Sequence, residues 1–410
     1  MQITEKTGKR AMKKDRRTDL RKKMVLPAAM MRSFVMGFKG SITNLFILDI
    51  AMEFGRSMSE LGGMIAANYI AGVIVPFIAG RASDLIGKKK VIMISMIIAA
   101  AGALMIAFSE SVGVYIIGTI VLGIGNTASN GAITPALADM FPKKATRYIS
   151  LLHVTISSAT MVAPMTLLFL HDRLGVTWRY ALIGIAVLTF IPFLMIAMSD
   201  IREPEGARPA HGIKEMLALL KDPVLLLGAI SLLFYCATDN VYSAFLSIFY
   251  NGKFNSTLFS SYALTLHGAM YALARFLAGY VKKNTKWLGL ITLLISTFAL
   301  IMVTVVKEPV QAVVFCALYS LSFAPLYSIV ISTTALAYPG NSGTATSLMF
   351  LGGGLGGMIF STPASILAGK VGVDWVFYLM ASTCATALVL FLLYSRLLEK
   401  RNKKDPDAVR

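Results

Sequence analysis

Runs of eighteen or more mainly apolar residues recur from one end of the 410-residue chain to the other, and no other feature restricts its folding so much. A bilayer's hydrocarbon core is about 30 Å thick, which about 20 helical residues cross. Inside it every backbone N–H and C=O must find a partner within the protein, and a helix supplies one to each. Twelve runs of suitable length stand near 28–52, 62–80, 89–108, 112–135, 148–170, 179–198, 223–250, 259–281, 286–306, 310–337, 344–369 and 374–396. Residues of hydrophobic type make up 56% of the chain and charged ones only 15%, too little polar surface for a soluble protein of this length. Because further spans follow it, the segment beginning at Pro27 reads as a span and not as a cleavable signal. The expected fold is an all-α membrane protein with twelve transmembrane helices in two pseudo-symmetric six-helix bundles. The expected divisions are a basic tail (1–27), an N-terminal bundle (28–199), a linker (200–222), a C-terminal bundle (223–396) and a second tail (397–410).

The formal net charge of +18 would suit a nucleic-acid partner if the cations formed one surface, but they do not. The first tail, the loops after spans 2, 4, 6 and 8, and the C-terminus hold 30 of the 39 Lys and Arg residues. The opposite loops hold six: Arg56, Arg173, Arg179, Lys253, Lys307 and Lys370. Three stay within spans: Arg32, Lys39 and Arg275. That asymmetry places both termini in the cytoplasm, and topology accounts for the basic tails without nucleic acid. The expected location is the plasma membrane (the inner membrane, in a bacterium), as a multi-pass monomer. Cys236, Cys316 and Cys384 lie in apolar runs at no metal-like spacing and read as small buried hydrophobes. The chain carries no P-loop, zinc motif or catalytic triad signature, so neither an enzyme nor a cofactor or metal is expected.

The linker (Asp200 to Asp222) contains Pro204, Pro209 and a possible short amphipathic helix, Ile213 to Leu220. It divides the chain into six spans and six. "FIAGRASDLIGKKKV" closes span 2 and "FLAGYVKKNTKWLG" closes span 8, with Gly80 and Gly279 in register; the second copy has lost the Asp. A duplicated six-span half is how secondary transporters that rock about a central site are built. Gly80-x-x-x-Asp84-x-x-Gly87-Lys88-Lys89-Lys90, after the second of twelve spans, resembles the signature loop of the major facilitator superfamily, and the resemblance covers Ala28 to Tyr394. "GIGNTASNGAITPALADMFPKKATRYISLLH" and "FAPLYSIVISTTALAYPGNSGTATSLMFLGGGLGG" resemble the fucose-permease-like sugar/proton symporter branch through their Gly/Pro placement and Asn-rich texture. The family resemblance implies alternating access. It also implies a gate at Gly80, Asp84, Gly87 and Lys88, in which Asp84 meets the start of span 11 (Asn341 to Thr344) and holds the cytoplasmic ends together. Lys88 to Lys90 read equally well as plain anchors at an anionic lipid surface.

The charges inside spans are the candidate site. Lys39 lies about 16 Å along span 1, near the bilayer midplane, and shares a helical face with Arg32, Met36, Thr43 and Phe46. A midplane Lys costs at least about 2.5 kcal/mol on insertion scales. It therefore reads either as an anchor for an anionic substrate group or as the partner of a fixed ion pair with Asp239. Arg32, a turn inside the membrane, is expected to snorkel to the surface. Asp239 on span 7 and His267 on span 8 are the candidate proton carriers, and Arg275 on span 8 reads substrate or locks the inner gate. Asn126, Asn130 and Thr134 share one face of span 4; Tyr235 and Tyr327 add rings with a polar tip. Thr43, Asn126, Asn130, Tyr235 and Tyr327 join the charged residues in the expected substrate site. Pro325 and Gly352 to Gly357 are expected to let spans 10 and 11 bend and slide.

The sugar-symporter branch carries acids in spans 1 and 4, where this chain has Asn44 and Asn126, and it has no counterpart to Lys39. The expected activity is therefore proton-coupled symport of a small organic anion or sugar acid, with Na⁺ as the other candidate coupling ion. Neutral sugar/proton symport is the alternative. Drug/proton export is the second alternative, weakened because "ATMVAPMTL" in span 5 lacks the glycines of the exporters' element.

Overall fold

The computed structural model describes residues 21–141, 145–201, 221–278, 285–337 and 342–404. Every element among them is a helix, and each of the twelve expected spans is present. Span 1 is Val25–Leu45 continued by Ile47–Glu53. Spans 2 to 6 are Leu61–Ile86, Lys88–Ala107, Val112–Met140, Ala145–Leu174 and Trp178–Met198. Spans 7 to 9 are Pro223–Phe254, Thr257–Ala278 and Thr285–Val305. Span 10 is Pro309–Phe323 followed by Pro325–Ala337; spans 11 and 12 are Ser342–Val371 and Asp374–Lys404. Nine of these are long and apolar enough to cross a bilayer unaided, and the bent span 1 makes a tenth. Spans 2 and 8, of 26 and 22 residues, have the length to cross at about 1.5 Å per residue. The expected helix Ile213 to Leu220 and Gly279 of the second repeat lie outside the described residues.

The two halves pack by one rule. In the first, span 3 lies against spans 4 and 6, span 1 against 5 and 6, and span 2 against 4. Adding six to each number gives the second half: 9 against 10 and 12, 7 against 11 and 12, 8 against 10. The halves meet through spans 2 with 11 and 5 with 8, pairs that also exchange under the same rule. Large apolar side chains such as Ile97, Val187, Phe298 and Val314 are more than half exposed on the outside of the bundles, as a surface solvated by lipid tails requires.

Hydropathy located the apolar stretches but not the helix ends, because helices run on past the hydrocarbon. Span 12 continues through the charged residues after Tyr394 to Lys404, where Arg, Glu and Lys are good helix formers. Span 1 is not the single helix expected: Phe46 leaves helical geometry (φ −98°, ψ 16°) and the axis bends by 58°. No Pro or Gly stands there; the buried Phe46 ring lies against His171, centroids 5.6 Å apart. Span 10 breaks at Ala324, before Pro325, since proline cannot donate the next helical hydrogen bond.

The spans are held in register at their ends, and the lysines of the signature loop take part. Call the end at which span 1 begins and span 12 ends the terminal end and the other the distal end. At the terminal end Lys89, opening span 3, donates to the carbonyls of Ala197 (2.8 Å) and Ser199 (2.7 Å), which close span 6. At the distal end Arg179, opening span 6, donates to Ala107 (2.6 Å) and Ser109 (2.7 Å), which close span 3. These antiparallel helices thus cap one another, a cation meeting unpaired carbonyls at each negative helix terminus. Lys88 pairs with Asp139 at the end of span 4. Lys88 and Lys89 therefore bind protein at the helix ends.

Candidate functional site

Two clusters of polar side chains occupy the interior, one in each half. In the second half, Tyr235, Asp239 and Tyr242 of span 7 face His267, Tyr271 and Arg275 of span 8. Four-residue and three-residue spacings keep each set on one helix face. The Tyr271 hydroxyl donates to Asp239 Oδ1. The Arg275 guanidinium lies over the Tyr271 ring, 5.0 Å from its centroid, and its Nη1 donates to Ser157 Oγ of span 5 at 3.3 Å. Arg275 therefore spans the interface between the halves while touching the ring that holds Asp239. One helical step along, Gly268 packs directly on the backbone of Thr160 and Met161; a side chain there would force spans 5 and 8 apart.

His267, 9% exposed, lies between two hydroxyls. Its Nδ1 is 2.9 Å from Ser320 Oγ and its Nε2 3.4 Å from Ser243 Oγ. Ser320 gives its own proton to the Cys316 carbonyl (2.7 Å). Nδ1 must then be the protonated nitrogen and donate to Ser320, leaving Nε2 as acceptor toward Ser243. Span 10 closes the cluster with aromatic rings. Tyr235 stacks on Phe323 (4.1 Å, 4°), Tyr319 lies against Tyr242 (4.2 Å), and Tyr327 beyond the break lies 6.1 Å from Tyr235. The buried hydroxyls of Tyr235 and Tyr319 have no hydrogen-bond partner among the described residues, an arrangement costing about 1–3 kcal/mol per group unless a ligand or water answers it.

In the first half, Lys39 does not reach Asp239. Its Nζ donates to Asn68 Oδ1 of span 2 at 3.2 Å, and the two expected partners form no ion pair, so a fixed bridge is not the explanation for the buried lysine. Arg32 does not snorkel either. It is 5% exposed and turned into the bundle, where Nη2 donates to the Asn126 carbonyl (2.7 Å) and Nη1 to Asn130 Oδ1 (3.1 Å). Span 4's polar face offers it better acceptors than the route to the surface. Thr43, a turn beyond Lys39, is half-buried. Asn126, Asn130, Arg32 and Lys39 are thus gathered together, apart from Tyr235, Asp239, His267, Arg275 and Tyr327.

The expected gate is described in part. Gly87 alone joins spans 2 and 3, at φ 91° and ψ 141°, a conformation that L side chains rarely adopt. Gly80 and Asp84 lie on the last turns of span 2; Asn341 and the side chains of Asp84 and of its other expected partners, Ser342 to Thr344, are outside what the structure describes. Away from the gate, spans 2 and 11 touch along their distal halves. Gly72 meets Gly354, and Gly62 packs on Ser361, Thr362 and Ser365. Tyr271, Asn68, Ser157 and Ser320 were not foreseen from the sequence. Tyr271 was detectable, four residues from both His267 and Arg275; the others show no signal until the helices are packed.

Two six-helix halves related by a repeat, with polar groups in their interior, are an architecture on which secondary transporters are built. The chain belongs to the Major Facilitator Superfamily, whose model matches residues 29–361 and again 229–410. An uncharacterized MFS-type transporter of Mycobacterium tuberculosis is 23% identical over 350 residues, 85% of this chain and 46% of that protein. This chain therefore spans about half that relative's length. An uncharacterized MFS-type transporter of Bacillus subtilis is 24% identical over 344 residues, 80% of this chain and 83% of the other. A D-xylose transporter of Levilactobacillus brevis is 27% identical over 173 residues, 42% of this chain and 37% of that one. The solved structure of a D-xylose-proton symporter superposes with a TM-score of 0.75 at 14% identity, covering 90% of this chain and 96% of that one. The last likeness is one of fold.

Proposed function

We propose that the protein carries a small organic anion, such as a sugar acid, across the plasma membrane together with protons. Both termini are cytoplasmic in this reading, as the distribution of Lys and Arg requires. One observation carries it. Three cations, Arg32, Lys39 and Arg275, lie inside the spans against one acid, the half-buried Asp239, and among the described residues none of the four is ion-paired. A positive interior in a low-dielectric medium is stabilised by an arriving anion. The orphaned phenols of Tyr235 and Tyr319 supply donors to cargo hydroxyls or carboxylate.

Asp239 is the proton site in this account. Ionised, it accepts from Tyr271; protonated, it no longer holds that phenol as strongly, and Tyr271 and the overlying Arg275 are released toward cargo. His267, whose unprotonated Nε2 accepts from Ser243, is the second proton carrier. Neutral-sugar symport is the second reading, favoured by the named relatives and by the aromatic lining.

A thermal-shift screen separates the two. Sugars, sugar acids and mono- and dicarboxylates are tested on the purified protein and on Lys39→Ala. A ligand at one hundred times its dissociation constant adds about 2.7 kcal/mol. Stabilisation by acids that is lost in Lys39→Ala is the expected result; stabilisation of both proteins by neutral sugars alone overturns the anionic reading.

A further inference from the structure

The geometry points to a second, smaller site, for an inorganic anion of the halide class held inside the N-terminal bundle between Arg32 and Lys39; it shares Lys39 with the proposed cargo site but none of the polar groups at the junction of the halves. A cavity of about 20 Å³ lies among spans 1, 3, 4 and 6, walled by Arg32, Lys39, Asn126, Ser129, Thr189 and Pro192 among others. That is room for about one water-sized particle, too little for an organic acid. Arg32 and Lys39 are seven residues apart, two turns on one face of span 1, and both line the same space.

Neither head is exhausted by its protein partners. Of five guanidinium N–H groups, Arg32 uses one on the Asn126 carbonyl and one on Asn130; Lys39 uses one of three on Asn68. The Ser129 hydroxyl, 1% exposed on the cavity wall, has no hydrogen-bond partner among the described residues. The walling helices carry no acid in their membrane parts: the nearest along the chain, Asp49, Glu53 and Asp139, belong to helix ends, and Glu53 and Asp139 are bound there to Arg179 and Lys88. A buried Arg32, a half-buried Lys39, an unanswered hydroxyl and a particle-sized space without a carboxylate form an anion site. A bound halide would accept from all three and fix span 1 against span 4.

The test is a thermal-shift titration of the full chain in detergent, with no organic acid present and ionic strength held constant. Sodium chloride and sodium bromide are each exchanged against sodium sulfate, whose anion is too large for a space of about one water-sized particle. The expected result is saturable stabilisation by chloride and bromide and no saturable stabilisation by sulfate. Its midpoint should rise about tenfold in Ser129→Ala, the order of one lost hydrogen bond to a charged partner, and the response should vanish in Arg32→Gln. Should Arg32→Gln fail to fold, Ser129→Ala and a bromide anomalous difference map of wild-type crystals decide. An equal saturable response to sulfate, a midpoint unmoved in Ser129→Ala, or bromide density elsewhere but not beside Arg32 overturns the proposal. None of these readouts involves cargo, so the anionic-cargo reading can fail while this site stands, and the reverse.

Discussion

At the scale of single residues, the interior is organised by which acceptor each buried donor reaches. Tyr271 is the clearest case, because its hydroxyl answers Asp239 while its ring carries Arg275. Tyr271→Phe keeps the ring and removes the hydroxyl. The expected outcome is a shifted pH profile of proton-driven uptake, with cargo exchange at equal pH retained; an unchanged profile would remove Tyr271 from the coupling. Gly87 shows a different kind of necessity, since one residue at φ 91° makes the whole turn between two spans. Gly87→Ala should cost about 1–3 kcal/mol, read as a lower melting temperature, and Gly87→Asn should cost as much, because ψ 141° lies outside the left-handed helical region that asparagine tolerates. The sequence disclosed residue chemistry better than residue partners. Lys39 and Asp239 stand at similar depth on spans 1 and 7, which made a salt bridge reasonable, yet Lys39 finds Asn68. Depth along a helix can be counted from the sequence; rotation about its axis is set by packing.

At the scale of elements, spans 3 and 6 tie each other down at both ends, and the two contacts stand a full membrane thickness apart. Lys89→Ala and Arg179→Ala should each cost about 1 kcal/mol, and their effects should add because sites this distant do not couple. Melting temperatures of both single variants and the double variant test this, and strong non-additivity would show that the caps share a partner. Hydropathy located all twelve spans because lipid exposure writes a long apolar run. The break in span 10 was foreseeable from Pro325, whereas the bend at Phe46 has no local mark and depends on what its ring meets.

The whole molecule is two copies of one packing scheme, joined where spans 2 and 5 meet spans 11 and 8. Gly268 lies at one of those joints against Thr160 and Met161. Gly268→Leu should abolish transport by wedging the joint while each half keeps its helices; retained far-UV circular dichroism with lost exchange is the expected pair of results. The repeat was legible in the sequence from the matched loops after spans 2 and 8. The sorting of polar residues into two separate clusters was not, because it arises only when six helices close around each interior.

The most direct test of the account is uptake into proteoliposomes under an imposed pH gradient, comparing a sugar acid with its neutral sugar, for the wild type and Asp239→Asn. The account predicts that protons drive accumulation of the acid. It also predicts that Asp239→Asn loses this accumulation yet still exchanges acid across the membrane at equal pH. Accumulation of the neutral sugar alone, or gradient-driven accumulation undiminished in Asp239→Asn, would contradict it.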